Sequence, residues 1–180
     1  MRPIKQHVFA IALTCLFVVA PMAQAELKVG DLAPAFDLPG TDGSNHTLAD
    51  MRGKNWVVLA WFPKAYTSGC TIECKSLAEN GHLIRKFNAN YYMVSVDPIA
   101  DNTGFAAQEG ADFPLLSDES KAVAAAYGVL SGSGYAKRHT YYIDDTGTIV
   151  AIDRAVKPAT SAQDMAAMLA KLGAPEANGR

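Results

Sequence analysis

The chain is poor in the features that mark several large classes of protein. Its 180 residues include only three cysteines, four histidines and two tryptophans, and charged residues make up 19% with a formal net charge of −2. This mixed, near-neutral charge gives no basic surface for nucleic acid and no polybasic surface for a membrane. No internal repeat and no long linker divides the chain, so its length fits a single domain.

The first 25 residues have the three-part pattern of a secretory signal peptide. Arg2 and Lys5 give a positive start, residues 8–20 are uncharged and mostly apolar, and small residues in Ala-x-Ala spacing end at Ala25. The apolar run is shorter than the roughly 18 residues needed to span a bilayer, so we expect cleavage after Ala25 and no stable membrane anchor. The pattern predicts export to a bacterial periplasm and loss of Cys15 with the leader.

The remaining chain predicts an α/β fold in which a sheet is flanked by helices. The run over residues 56–62 is apolar without alternation, as in a strand that is buried on both faces. We expect one domain over residues 26–173 and a flexible tail over 174–180. The predicted elements are a hairpin within 36–48, strands over 56–62, 91–96 and 115–116, helices over 70–87, 101–109, 119–127 and 162–172, and a closing hairpin over 140–152.

Two cysteines remain beyond the leader, and both lie at the start of the helix that follows the strand 56–62. Sites in open α/β sheets form at the carboxyl ends of strands. Unpaired N–H groups and the helix dipole favour the thiolate of Cys70, which is the reactive form. A helix start is rarely deep core, so the position predicts an accessible nucleophile. Gly69 is expected to let the backbone turn tightly just before it.

Cys74 lies about one turn further along the same face of the helix. In an intact helix the two Cβ atoms would be about 5–6 Å apart, whereas a disulfide needs roughly 3.8 Å. A bond to Cys70 therefore requires the first turn to unwind, which suits a catalytic cycle better than a permanent crosslink. The alternative is that Cys74 is simply a buried core residue, as free cysteines often are.

The stretch from Pro63 through Thr67 to Cys70 reads P-x-x-x-T-x-x-C and resembles the active-site signature of the peroxiredoxins. The similarity continues in GDLAPAFDLPGTDG, FPLLSDES and RHTYYIDDTG, and it is strongest to the bacterioferritin comigratory protein, or PrxQ, branch. The resemblance implies a thioredoxin fold with an N-terminal β-hairpin extension and a central mixed sheet flanked by helices.

The same resemblance implies roles for the site residues. The Cys70 thiolate attacks a peroxide and becomes a sulfenic acid, Thr67 hydrogen-bonds the peroxide and the cysteine, and Pro63 shields the sulfur. Arg138 completes the pocket, where a guanidinium favours the thiolate and the charge on the leaving oxygen. Glu73 stands where other peroxiredoxins carry a glutamate that holds this arginine.

Cys74 is implied as the resolving cysteine, which forms a disulfide with the oxidised cysteine. The spacing of four departs from the five residues often found in this branch, and Ser68 stands where the branch usually has proline. The resemblance further implies a peroxide substrate, a dithiol reductant of thioredoxin type, no metal or organic cofactor, and a monomer or weak dimer.

Two other functions share this general pattern. A copper chaperone of the Sco type would use Cys70, Cys74 and a histidine, with His139 as the nearest match. The spacing of His139 differs from that pattern, and strand alternation should point it away from Arg138. A thioredoxin-like dithiol reductase would need Cys-x-x-Cys and a proline before the late strand, and neither is present.

Overall fold

The structure, a computed structural model, describes residues 26–177, and the predicted leader lies outside this range. Within it the strands form a two-stranded hairpin and a five-stranded sheet. The strands are β1 (Asp37–Pro39), β2 (Asn45–Thr47), β3 (Trp56–Trp61), β4 (Ala89–Ser95), β5 (Leu115–Ser117), β6 (His139–Ile143) and β7 (Ile149–Asp153).

Strand β3 lies at the centre of the larger sheet, whose order is β5-β4-β3-β6-β7. It runs parallel to β4 and antiparallel to β6, so the sheet is mixed, as the sequence predicts. All six residues of β3 are buried, because packed side chains cover both of its faces. This explains why the strand reads as one apolar run without alternation.

The helices differ from the predicted ones mainly at their ends. The long helix begins before Cys70, and the fourth helix begins only after Lys121, whose left-handed backbone (φ 63°) stops an earlier start. In the described part of the chain, no helix is both long and apolar enough to cross a membrane. The helices are α1 (Leu48–Met51), α2 (Ser68–Ile84), α3 (Ile99–Glu109), α4 (Ala122–Ala126) and α5 (Ser161–Leu172).

The sheet separates two hydrophobic cores. One core packs beneath α2, α3 and α5 and contains Cys70 and Cys74. The other contains Trp61, Tyr127 and Tyr141 and is covered by the N-terminal hairpin region and α4. Because alternate residues of a strand face opposite sides, Tyr142 of β6 lies in the first core, whereas Tyr141 and Ile143 lie in the second.

The segment after α5 is more ordered than the sequence predicts. Ala174 is buried, the N–H of Asn88 donates to the carbonyl of Pro175 at 2.7 Å, and the N–H of Ala177 donates to the carbonyl of Lys86 at 2.8 Å. The prediction of a flexible tail from residue 174 is therefore wrong for residues 174–177, which lie beside the residues just before β4. Residues 178–180 lie outside the described range.

Candidate active site

The loop between β3 and α2 turns sharply at Tyr66, not at Gly69. Tyr66 has a left-handed backbone (φ 63°), whereas Gly69 lies within α2 without a positive φ. The N–H of Ala65 donates to the buried carboxylate of Asp97 at 2.9 Å, which fastens this loop to the end of β4. The ring of Tyr66 packs on Phe105 of α3, with 5.4 Å between ring centroids.

Gly69 instead allows a close approach between α2 and an arginine. A Cβ atom at residue 69 would lie 3.2 Å from Nη2 of Arg138, tighter than ordinary van der Waals contact. The prediction that the backbone turns tightly at Gly69 is therefore wrong, because the turn lies at Tyr66. The glycine leaves the space in which the guanidinium reaches the sulfur of Cys70.

Cys70 is the third residue of α2 and has no exposed surface. The prediction of an accessible helix-start cysteine is wrong, because the first turn of α2 packs down onto the sheet and the guanidinium of Arg138 lies against the sulfur. In this state the sulfur is closed off from solvent. The N–H groups of the first turn still have no partner within the helix, so the sulfur lies at its positive end.

Arg138 joins Cys70 to Glu73. Its Nη2 donates to Sγ of Cys70 at 3.1 Å, and its Nη1 donates to Oε2 of Glu73. The register explains this meeting of residues distant in sequence, because Trp61 at the end of β3 pairs with His139 at the start of β6. Arg138 immediately precedes β6 and therefore lies beside the loop that leads into α2.

Glu73 is fully buried, with 0% of its surface exposed. Burial raises the pKa of Glu73 from 4.5 to about 7, against the opposing effect of the Arg138 cation. Its second oxygen, Oε1, accepts a hydrogen bond from Oγ of Ser161 at 3.3 Å. Ser161, the first residue of α5, is absent from the site that the sequence predicts, since no local pattern distinguishes a serine at a helix start.

Cys74 is also fully buried, and both cysteines are free thiols. Burial raises the pKa of Cys74 to about 12, and the negative charges of Glu109 and Glu73 and the nearby Cys70 add to this increase. While α2 is closed, Cys74 is therefore a neutral thiol. In this closed state Cys74 therefore fits the interpretation as a buried core residue.

Thr67 and Pro63 complete the predicted set. Thr67 is exposed and its Oγ1 donates to the carbonyl of Lys64 at 2.9 Å, so this hydroxyl does not donate to the sulfur of Cys70. With its proton committed, this hydroxyl can only accept from a further group. Pro63 is half-buried directly after Phe62, at the entrance to the loop.

His139 lies on the other side of the sheet from the two cysteines. It lines a cavity of about 380 Å³ together with Tyr141, Lys137 and Arg154. Burial lowers the pKa of His139, and the charges of Arg154 and Lys137 lower it further. Across residues 26–177 no group of three or more His, Cys, Asp or Glu side chains could hold a metal ion, so a copper site of two cysteines and His139 does not assemble.

The structure thus defines a thiol site on a thioredoxin-like fold, with the sulfur at a helix start and under a guanidinium. The model of the AhpC/TSA family matches residues 29–152. The chain belongs to this family.

Individual relatives agree with the branch that the motif predicts. Peroxiredoxin Bcp of Escherichia coli (strain K12) is 38% identical over 103 residues, which are 57% of this chain and 65% of that protein. The match thus spans slightly less than two thirds of that relative. The crystal structure of peroxidoxin BcpB from Mycobacterium tuberculosis superposes with a TM-score of 0.74 at 30% identity, covering 81% of this chain and 98% of that one. Xanthomonas campestris bacterioferritin comigratory protein gives 0.69 at 29% identity, covering 76% and 90%.

Proposed function

We propose that this protein is a thiol peroxidase that reduces hydrogen peroxide and organic hydroperoxides, with Cys70 as the attacking group. The observation that carries the proposal is the 3.1 Å hydrogen bond from Arg138 to the buried sulfur of Cys70. A guanidinium in this position stabilises negative charge on sulfur and on the oxygen that leaves. Organic hydroperoxides are included because the similar X. campestris structure was described in terms of alkyl peroxide reduction.

In the first step the Cys70 thiolate attacks one oxygen of the peroxide and the O–O bond breaks. Sulfur is oxidised to sulfenic acid, and the other oxygen leaves as hydroxide or alkoxide and takes up a proton to become water or an alcohol. The Thr67 hydroxyl, which donates to Lys64, has lone pairs left to accept the proton of a bound peroxide. The Pro63–Thr67 turn and Arg138 would then enclose the O–O bond.

In the second step the thiol of Cys74 condenses with the sulfenic acid, so that an S–S bond forms and water leaves. Two features of the closed helix oppose this step. The Cβ spacing of an intact turn is too long for a disulfide, and the raised pKa of Cys74 keeps its thiol protonated. Unwinding the start of α2 removes both obstacles, because it frees the backbone and brings the thiol into water.

An external dithiol of thioredoxin type then reduces the disulfide by thiol–disulfide exchange. We further propose that the leader is removed after Ala25 and that the mature protein works outside the cytoplasm, as a monomer or weak dimer. The leader pattern is the support for export. Intact-mass measurement of protein recovered from a bacterial periplasm would show a chain that begins at Glu26, and a retained leader would contradict this part.

The experiment that tests the peroxidase proposal compares Cys70→Ser with wild type in a peroxide-consumption assay containing a dithiol. We expect the variant to lose activity completely. Cys74→Ser is the comparison variant: it removes the other buried thiol but leaves the Cys70–Arg138 contact intact, so its first oxidation by peroxide should proceed as in wild type even though its turnover changes. Substantial dithiol-dependent peroxide consumption by Cys70→Ser would refute the assignment of Cys70.

A further inference from the structure

The start of α5 is fastened to the part of α2 that carries the two cysteines. Oγ of Ser161 donates to Oε1 of Glu73 at 3.3 Å. One residue further on, the N–H of Ala162 donates to Oγ of Ser76, also at 3.3 Å. Glu73 and Ser161 expose 0% and 2% of their surfaces, so no water competes for these bonds.

The second of these bonds also caps α5. Thr160, at the N-cap position, makes no side-chain capping bond, although the first N–H groups of a buried helix end need partners. Ser76 supplies one of them from a different helix. The two helices therefore stabilise each other: α5 holds the buried carboxyl of α2, and α2 caps α5.

The position of Glu73 connects the contacts between α5 and α2 to disulfide formation. Glu73 lies between Cys70 and Cys74, in the turn that has to open before a disulfide can form. Unwinding this turn breaks the contact of Glu73 with Arg138 and its contact with Ser161. The Arg138 contact belongs to the thiol site itself, whereas the Ser161 contact reaches the turn from α5 and touches neither sulfur.

We propose that Ser161 is a positioning residue that acts through Glu73 to hold the first turns of α2 closed, and thereby limits how often Cys70 and Cys74 can meet. Its role in a peroxide cycle rests on the proposed function. In that cycle the sulfenic acid either condenses with Cys74 or reacts with a second peroxide to give sulfinic acid. Removing the Ser161 hydroxyl therefore shifts oxidised protein towards the disulfide and away from sulfinic acid.

The first test measures amide hydrogen exchange on the reduced full-length protein without any oxidant. In Ser161→Ala we expect exchange of amides 71–76 to become about tenfold faster, as for loss of one hydrogen bond to a charged group. Thr160→Ala is the matched control, because it removes the neighbouring hydroxyl, which donates to Asp164 at 2.7 Å within α5. Ser161→Thr keeps the hydroxyl and should exchange like wild type.

A purely structural role for the start of α5 would make Thr160→Ala and Ser161→Ala alike. Equal exchange of amides 71–76 in those two variants, or wild-type exchange in Ser161→Ala, would overturn the proposal. Ser161→Val is a second variant, which matches the shape of Ser161→Thr but lacks the hydroxyl that donates to Glu73. It should exchange faster than Ser161→Thr over amides 71–76, and it keeps the proposal testable should Ser161→Ala not fold.

The second test forms the disulfide with diamide, an azo oxidant, so that it requires no peroxidase activity. The two thiols of Cys70 and Cys74 give two electrons and two protons to the N=N bond, an S–S bond forms, and the oxidant becomes a hydrazine. Ser161→Ala should crosslink about tenfold faster than wild type, the same factor as for amide exchange. An unchanged rate would contradict the proposed role of Ser161, because crosslinking requires the first turns of α2 to unwind.

The third test adds excess hydrogen peroxide and compares sulfinic acid with disulfide by mass spectrometry. Ser161→Ala should contain less sulfinic acid than wild type, whereas Thr160→Ala should match wild type. A wild type that consumes no peroxide would refute the proposed function, and exchange and diamide crosslinking would still decide the role of Ser161. If wild type consumes peroxide but amide exchange and diamide crosslinking are both unchanged in Ser161→Ala, the role of Ser161 is refuted and the proposed function is not.

Discussion

Replacement of Arg138 by alanine is the perturbation whose size follows most directly from the structure. It removes the donor that lies 3.1 Å from Sγ of Cys70. Loss of one preorganised donor to developing charge typically lowers a rate by about 10²-fold, or roughly 2.7 kcal/mol of barrier. We expect this decrease in the second-order rate constant for reaction of reduced protein with peroxide, measured by stopped flow. Lys137→Ala, which removes a neighbouring exposed cation, is the control and should react like wild type.

The variant also leaves Glu73 buried without its cation. A buried carboxylate without a partner takes up a proton instead of remaining charged, and this change at Glu73 is a second cause that would also lower the rate. The double variant Arg138→Ala/Glu73→Gln removes that ambiguity, because it replaces the carboxyl by a neutral amide. We expect the double variant to stay as slow as Arg138→Ala. Recovery of the wild-type rate, or unchanged kinetics in Arg138→Ala, would refute a direct role of the guanidinium at sulfur.

Three further outcomes follow from the site and from α2. In Cys74→Ser the sulfenic acid should persist and convert to sulfinic acid more readily, as mass spectrometry would show, and rapid loss of the sulfenic acid would contradict a resolving role. The carboxyl carbon of Glu73 should titrate by NMR near pH 7. Since the folded protein then keeps a proton that the unfolded chain releases, the contribution of Glu73 to the free energy of unfolding should fall by about 3 kcal/mol as pH rises from 4.5 to about 7. Glu73→Gln should make stability less dependent on pH in this range. An NMR titration midpoint of Glu73 near 4.5 would contradict the raised pKa. Gly81→Ala should lower the melting temperature despite alanine's higher helix propensity, because its Cβ would collide with the hydroxyl of buried Tyr91; a stabilised variant would refute that contact.

The sheet and most helices follow from the sequence because they depend on local patterns. The apolar run of β3 predicts a doubly buried strand, and the structure shows all six of its residues buried. Helix α1 is missing from the prediction, since its four residues are too few for a periodic pattern. The ordered path of residues 174–177 is also missing, because it depends on backbone partners near the start of β4, far away in the chain.

The site residues that could be predicted are those that the short motif or the family resemblance marks. Cys70, Thr67 and Pro63 form one short signature, and Arg138 and Glu73 follow from the family resemblance. Ser161 and Asp97 carry no such signal, because each acquires its partner through packing of elements distant in sequence. The burial of Cys70 has the same origin, since a helix start describes local geometry and not what packs above it.

The central claim is that Cys70 reduces peroxide and passes the oxidation to Cys74. The most direct measurement is mass spectrometry of reduced protein after an equimolar amount of hydrogen peroxide, followed by peptide mapping without reductant. The account predicts a loss of about two mass units, as two thiol hydrogens leave, and a crosslink between the peptides that carry Cys70 and Cys74. An unchanged mass, or a sulfenic or sulfinic acid at Cys70 with Cys74 still a free thiol, would contradict it.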